Sequence, residues 1–182
     1  MAHTDQKPLL ILDLDETLVH SAEAPLAIPC DFRVGPYWVH RRPFLDDFLG
    51  SVASAFLLAV WSSSSADYLA AILEQIIPPG VRLEFVWSRS RCVQRYDREW
   101  QAPYWVKDLK KVRRRGYDLR RTLIVDDTPS KLERNFGNAV YVTSFEGDPA
   151  DCELRSLALY LLSLVGEQNF RTIEKRGWRS RF

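Results

Sequence analysis

The chain has no excess charge, no long apolar run and few cysteines, and each absence narrows what it can be. A net charge of +1 over 182 residues gives no field to drive it onto nucleic acid or a membrane. Its most apolar stretch, Val52 to Trp61, is about half the ~20 residues that a membrane-spanning helix needs. The polar stretch Met1 to Pro8 does not serve as a signal peptide. Cys30, Cys92 and Cys152 lie far apart and form no C-x-x-C pair, which excludes a disulfide framework and zinc-ligand spacing. The expectation is a soluble intracellular protein, cytoplasmic or nuclear and monomeric, with no membrane and no direct nucleic-acid partner.

What is present begins with Leu9-Leu10-Ile11-Leu12, an apolar run suited to a buried parallel strand, where alternation is lost because both faces are covered. It stops at Asp13-Leu14-Asp15, followed by Glu16 and Thr17. Ligands of open α/β sheets sit at the carboxyl ends of strands, so Asp13 and Asp15 are candidates for metal binding or phosphoryl transfer. A polar turn after a buried strand would use the same residues, and the remaining chain has to decide.

Residues 20–42 interrupt the pattern with Pro25, Pro29 and Pro36. Phe32 to Val34 and Tyr37 to Val39 flank Gly35-Pro36 as a hairpin, and Phe32, Tyr37 and Trp38 are expected to form one apolar recognition surface on this flap. Pro43 opens a helix with Phe44, Leu45, Phe48, Leu49 and Val52 on one face. Strands follow at Ala55 to Trp61, Leu83 to Trp87, Thr122 to Val125 and Ala139 to Val142. Helical stripes lie between them from Tyr68 to Ile77 and from Trp105 to Val112. Asp148-Pro149 caps a last helix with Leu154, Leu157, Ala158, Leu161, Leu162 and Val165 as its stripe and Gly166 as its C-cap. The alternation predicts a single α/β domain over 1–182: a doubly wound parallel sheet with helices on both faces and a small β-hairpin insertion after the first strand. Residues 167–182 are a basic segment, read as a solvated terminus.

Asp126-Asp127 ends a buried run as Asp13-x-Asp15 does, more than a hundred residues later. If the two strands are neighbours, three or four carboxylates converge at one sheet edge, which is costly without a cation. Hard oxygen ligands favour Mg²⁺. Ser62, just beyond the second sheet strand, could hold a phosphate oxygen, and Lys107 could balance an incoming phosphate unless it lies on a solvated helix face.

These residues carry a resemblance. Asp13-Leu14-Asp15-Glu16-Thr17-Leu18-Val19 resembles the first motif of the haloacid dehalogenase superfamily, in particular the phosphatases of the RNA polymerase II carboxy-terminal domain and their small, NLI-interacting-factor-like relatives. Arg42-Pro43-Phe44-Leu45 resembles the segment after the family's insertion. Val60-Trp61-Ser62-Ser63-Ser64 with Tyr68 resembles the second motif, Tyr104 to Leu109 the third, and Leu119 to Pro129 the fourth. The resemblance implies a Mg²⁺-dependent phosphomonoester hydrolase working through an aspartyl phosphate, with phosphoserine or phosphothreonine in a protein or peptide as substrate. It implies Asp13 as nucleophile, Asp15 as general acid and base, and Lys107 as the neutralising lysine. For the metal site it implies Asp13, Asp15 through its backbone carbonyl, Asp126 and Asp127, with Asp126 also orienting Lys107. Thr17, Ser62, Ser63, Arg89 and Trp38 are the candidate substrate contacts. Ser62 and Asp127 depart from the threonine and asparagine that many relatives carry.

Other classes use some of the same residues. Cys92 to Arg98 has the C-x5-R spacing of cysteine phosphatases, but Gln94, Arg95, Tyr96 and Asp97 are unsuited to a loop that wraps a phosphate in backbone N–H groups. Lys110, Lys111, Arg113, Arg114 and Arg115 would suit a non-catalytic phosphopeptide or nucleic-acid binder, for which the acidic pairs have no use. A small-molecule phosphatase with the same chemistry is the remaining alternative.

Overall fold

The computed structural model describes residues 7–99, 101–135 and 137–182; most of the polar stretch that opens the chain lies outside them. The elements run β1 (Leu9–Leu12), β2 (Val19–Ala22), β3 (Phe32–Val34), β4 (Tyr37–Arg41), α1 (Leu45–Ala55), β5 (Leu57–Trp61), α2 (Ala66–Ile76) and β6 (Leu83–Trp87). They continue with β7 (Val93–Asp97), β8 (Ala102–Val106), α3 (Lys110–Arg114), β9 (Thr122–Asp126), β10 (Ala139–Tyr141) and α4 (Glu153–Ser163).

The central sheet has the order β10-β9-β1-β5-β6, and its pairs are all parallel. β1 is its middle strand and is buried at every residue. Period-two alternation still operates inside it. Leu10 and Leu12 join one apolar cluster with α1, α2 and α4, while Leu9 and Ile11 join another with Trp61, Trp87, Leu109 and Val112. The sheet is therefore covered on both faces as expected, but unequally, because α3 has only five residues. Among the described residues no helix is long and apolar enough to cross a membrane.

The flap is larger than a hairpin. β2 pairs with β4 and β4 with β3, giving a three-stranded antiparallel sheet. The register opposes Phe32 to Val39 and Val34 to Tyr37, and these side chains pack toward the larger cluster. Trp38, opposed to Arg33 and Ala22, points to the other face. The expected surface of Phe32, Tyr37 and Trp38 is thus split by simple strand alternation.

Several boundaries also differ. α1 begins at Leu45, and Phe44, at φ 66, is its N-cap and 42% exposed instead of lying on the apolar face. Trp105 and Val106 are on β8, paired antiparallel to β7, instead of in a helix. β7 reads Val-Gln-Arg-Tyr-Asp and has half-buried alternation with little apolar content, so its pairing left no hydrophobic signal. α4 starts at Glu153 because Asp148 accepts from the Ala150 N–H in a turn and Asp151 accepts from the Glu153 N–H. Its C-cap is Leu164, two residues before Gly166. The terminal segment is anchored at a few buried residues, while most of its charged side chains stay exposed. Phe170 and Trp178 are buried, and Trp178 stacks on Tyr160 at 5.3 Å and donates to the Tyr141 carbonyl at 3.0 Å. Lys175 donates to the carbonyls of Gly137, Phe170 and Ile173, which together hold its ammonium against the body of the protein.

Candidate active site

Register brings the two acidic pairs together. Leu12 is opposed to Val125, so Asp13 and Asp126 meet one step further along, at the carboxyl edge of the sheet. The Asp13 N–H donates to the Val125 carbonyl at 2.9 Å and fixes that step. The chain then turns sharply: the Leu14 carbonyl accepts from Thr17, Leu18 and Val19, and Glu16 takes a positive φ of 60. Arg42 holds this turn from below. It is buried, donates to the Thr17 carbonyl at 3.1 Å, and grips Asp151 with two bonds of 3.0 and 2.8 Å.

Lys107 follows β8 on an irregular segment and is fully buried, so the solvated helix face is excluded. Its backbone is clamped: its N–H donates to the Lys131 carbonyl at 2.8 Å, and its carbonyl accepts from the side chain of Asn135. The ammonium lies 2.6 Å from Asp13 Oδ1 and 2.6 Å from Asp126 Oδ2. Lys131, from the short turn Pro129–Leu132, lies 3.1 Å from Asp13 Oδ2 and 3.4 Å from Asp127 Oδ1. Burial works to raise the Asp13 carboxyl, but Lys107 and Lys131 outweigh it and hold it below the usual range. Asp126 is pushed up to about 6 by burial and by the charge of Asp13. Lys107 stays charged because Asp126 and Asp13 outweigh the desolvation of its ammonium.

Among the described residues, ligand oxygens of Asp13, Asp126 and Asp127 lie within 4.8 Å of one another. The carboxylate of Asp15 is not in this set. It accepts from Ser62 at 3.1 Å, Ser64 at 2.5 Å and Tyr68 at 2.7 Å, so only its backbone carbonyl is left to serve a metal. Burial and the charge of Asp15 push the Tyr68 phenol up, which keeps it a donor.

The remaining candidates are placed as follows. Ser62 is buried, with its hydroxyl spanning Asp15 and the Ser64 N–H at 2.9 Å. Thr17 is buried and its hydroxyl has no hydrogen-bond partner. The Ser63 carbonyl accepts from the exposed Arg89 at 2.6 Å, which ties that guanidinium to the loop after β5. Trp38 lies under the Arg33 guanidinium at 4.4 Å, on the flap and outside this network. Cys92 is buried against the Ser62 carbonyl, and its thiol is pushed up by desolvation, contrary to what a cysteine nucleophile needs. The following residues belong to β7 and cannot wrap a phosphate.

Sequence reasoning missed Lys131, Ser64 and the polar role of Tyr68. Lys131 stands four residues after Asp127, a spacing at which opposite charges meet in a helical turn, and that signal was available. Tyr68 stood both in an apolar helical stripe and in the second-motif resemblance, and neither assigned it a hydrogen bond to Asp15.

Known proteins resemble this chain in sequence and in fold. Residues 8–171 match the family model for NLI interacting factor-like phosphatases. A probable C-terminal domain small phosphatase of Dictyostelium discoideum is 33% identical over 90% of this chain and 53% of its own length. The human carboxy-terminal domain RNA polymerase II polypeptide A small phosphatase 2 is 31% identical over 90% of this chain and 59% of its own. The chain thus spans about half the length of these relatives. In solved structures, a fission yeast RNA polymerase II CTD phosphatase bound to beryllium fluoride has a TM-score of 0.58 at 20% identity, over 91% of this chain and 53% of that one. A haloacid dehalogenase-like family hydrolase from Xanthomonas campestris gives 0.58 at 10% identity, over 90% of this chain and 98% of that one. These likenesses show the same α/β fold with a parallel central sheet, and with the match over 8–171 they place the chain in the NLI interacting factor-like phosphatase family.

Proposed function

We propose that this protein is a Mg²⁺-dependent phosphomonoesterase that hydrolyses phosphoserine or phosphothreonine in a protein or peptide through an aspartyl phosphate on Asp13. The observation that carries this is the buried Asp13 carboxylate, held ionised between Lys107 and Lys131 at the carboxyl edge of the sheet. A carboxylate kept charged in a dry site is a nucleophile with no hydration shell to shed.

The donor set fits a hard divalent cation. Three carboxylates crowd within 4.8 Å, and burial together with the charge of Asp13 raises the Asp126 carboxyl. Asp13 and Asp127 would hold the ion with the Asp15 carbonyl, because Asp126 is committed to Lys107 and, at 3.0 Å, to the Thr128 N–H. When bound there it supplies Lewis-acid polarisation of the phosphate oxygens.

The chain's own residues do the rest. An oxygen of Asp13 attacks phosphorus, and the departing seryl or threonyl oxygen takes a proton from the Asp15 carboxyl. Asp15, now ionised, removes a proton from the water that attacks the phosphoaspartate, which frees Asp13 and inorganic phosphate. Ser62, Ser64 and Tyr68 fix the orientation of Asp15 for both transfers. Lys107 neutralises the charge that builds between Asp13 and the phosphoryl group.

Phosphate release from a panel of phosphoserine and phosphothreonine peptides and small phosphate esters tests the reading. Release from the peptides with Mg²⁺, its loss in EDTA and its loss in Asp13→Asn are expected. Turnover of small esters alone would assign the protein to small-molecule hydrolysis, and full activity in EDTA would overturn the mechanism.

A further inference from the structure

Lys131 reaches all three carboxylates of the acidic cluster. Its Nζ lies 3.1 Å from Asp13 Oδ2, 3.4 Å from Asp127 Oδ1 and 3.7 Å from Asp126 Oδ1. Lys107 does not compete for these atoms, because it takes Asp13 Oδ1 and Asp126 Oδ2. The two lysines therefore divide the oxygens between them, and Lys131 holds the set that faces Asp127. The two also differ in exposure. The Lys107 side chain is fully enclosed, whereas that of Lys131 is 19% exposed on a short 3-10 turn and has a flexible four-carbon stem.

We infer that Lys131 is a built-in rival of the divalent cation: its ammonium neutralises the Asp13–Asp126–Asp127 cluster and must withdraw before a metal ion can enter. An ammonium and a dication cannot share oxygens this close, since their repulsion in a partly dry site far exceeds its value in water. Occupancy by Lys131 lowers the apparent metal affinity by the fraction of molecules whose lysine has already swung out. It makes Lys131 a positioning residue that sets the Mg²⁺ concentration at which the site loads. The inference rests on the cation site proposed above.

Calorimetric titration of the full chain with MgCl₂ tests it without measuring turnover. Lys131→Met is expected to bind Mg²⁺ about tenfold more tightly than the wild type, and Lys131→Gln likewise, because both delete the rival charge. Lys131→Arg keeps the charge and is expected to stay within about twofold of the wild type. Thermal melts in EDTA identify any variant that is not folded, and the neutral variant that folds decides the comparison. Equal or weaker binding in the neutral variant, or an equal gain in Lys131→Arg, would overturn the inference while leaving the metal site intact. No binding to any form, the wild type included, would remove the cation site itself, and the inference with it.

Discussion

Asp13 and Asp126 face one another across the β1–β9 register and close on a single buried ammonium, Lys107, at 2.6 Å each. This contact joins segments separated by 94 and 19 residues and ties the hairpin β7–β8 to the sheet edge. Removing that ammonium leaves two buried carboxylates with Lys131, at 3.1 Å from Asp13 and 3.7 Å from Asp126, as the cation beside them.

Lys107→Met should therefore abolish turnover and destabilise the fold by about 3–5 kcal/mol near neutral pH. Asp126 already stands at about 6, above its unfolded value, so ionising it costs stability as pH rises through that range. Without Lys107 the carboxyl rises further, so the deficit should shrink at about pH 5 and widen at about pH 8. Urea denaturation of both proteins at the two pH values checks this. A pH-independent difference would contradict the account of the pair.

Cys92 should resist alkylation. Its thiol is buried and pushed up, while Cys152 is exposed. Iodoacetamide at mildly alkaline pH should label Cys152 and leave activity intact, as peptide mapping beside a phosphatase assay would show. Inactivation in step with Cys92 labelling would revive the cysteine mechanism.

Trp178→Ala should cost about 3–5 kcal/mol, as for other large buried aromatics, because the ring stacks on Tyr160 and closes the larger apolar cluster. The Michaelis constant for a small aryl phosphate should not move. A loss below about 1 kcal/mol would mean that the terminal segment is not part of the core.

The sheet was legible because its strands are apolar runs ended by acids or turn residues; that β1 and β9 are neighbours was a condition the acidic pairs raised and the register meets. Pairing between β7 and β8 was not legible, since Val93 to Asp97 is mostly polar and its partner carries a helix-like spacing at Trp105, Leu109 and Val112. The same misreading hid the burial of Lys107, which only the tertiary clamp by Lys131 and Asn135 explains. The tail misled for a different reason. Its charge is real, but Trp178 and Phe170 decide where it lies, and Lys175 satisfies its ammonium with three carbonyls instead of water. Nothing local to Asp15 showed that Tyr68, 53 residues away, would orient it.

The division of labour between Asp13 and Asp15 is the centre of the proposed mechanism, and Asp15→Asn tests it most directly. A nitrophenolate leaves without needing a proton, so the first step should still proceed on p-nitrophenyl phosphate, while hydrolysis of the phosphoaspartate lacks its base. Rapid quench with intact-protein mass measurement should show a burst of nitrophenol and one phosphate retained on Asp13. Phosphoserine, whose leaving group is far more basic, should give almost no burst. Steady turnover of Asp15→Asn at the wild-type rate, with no retained phosphate, would contradict the account.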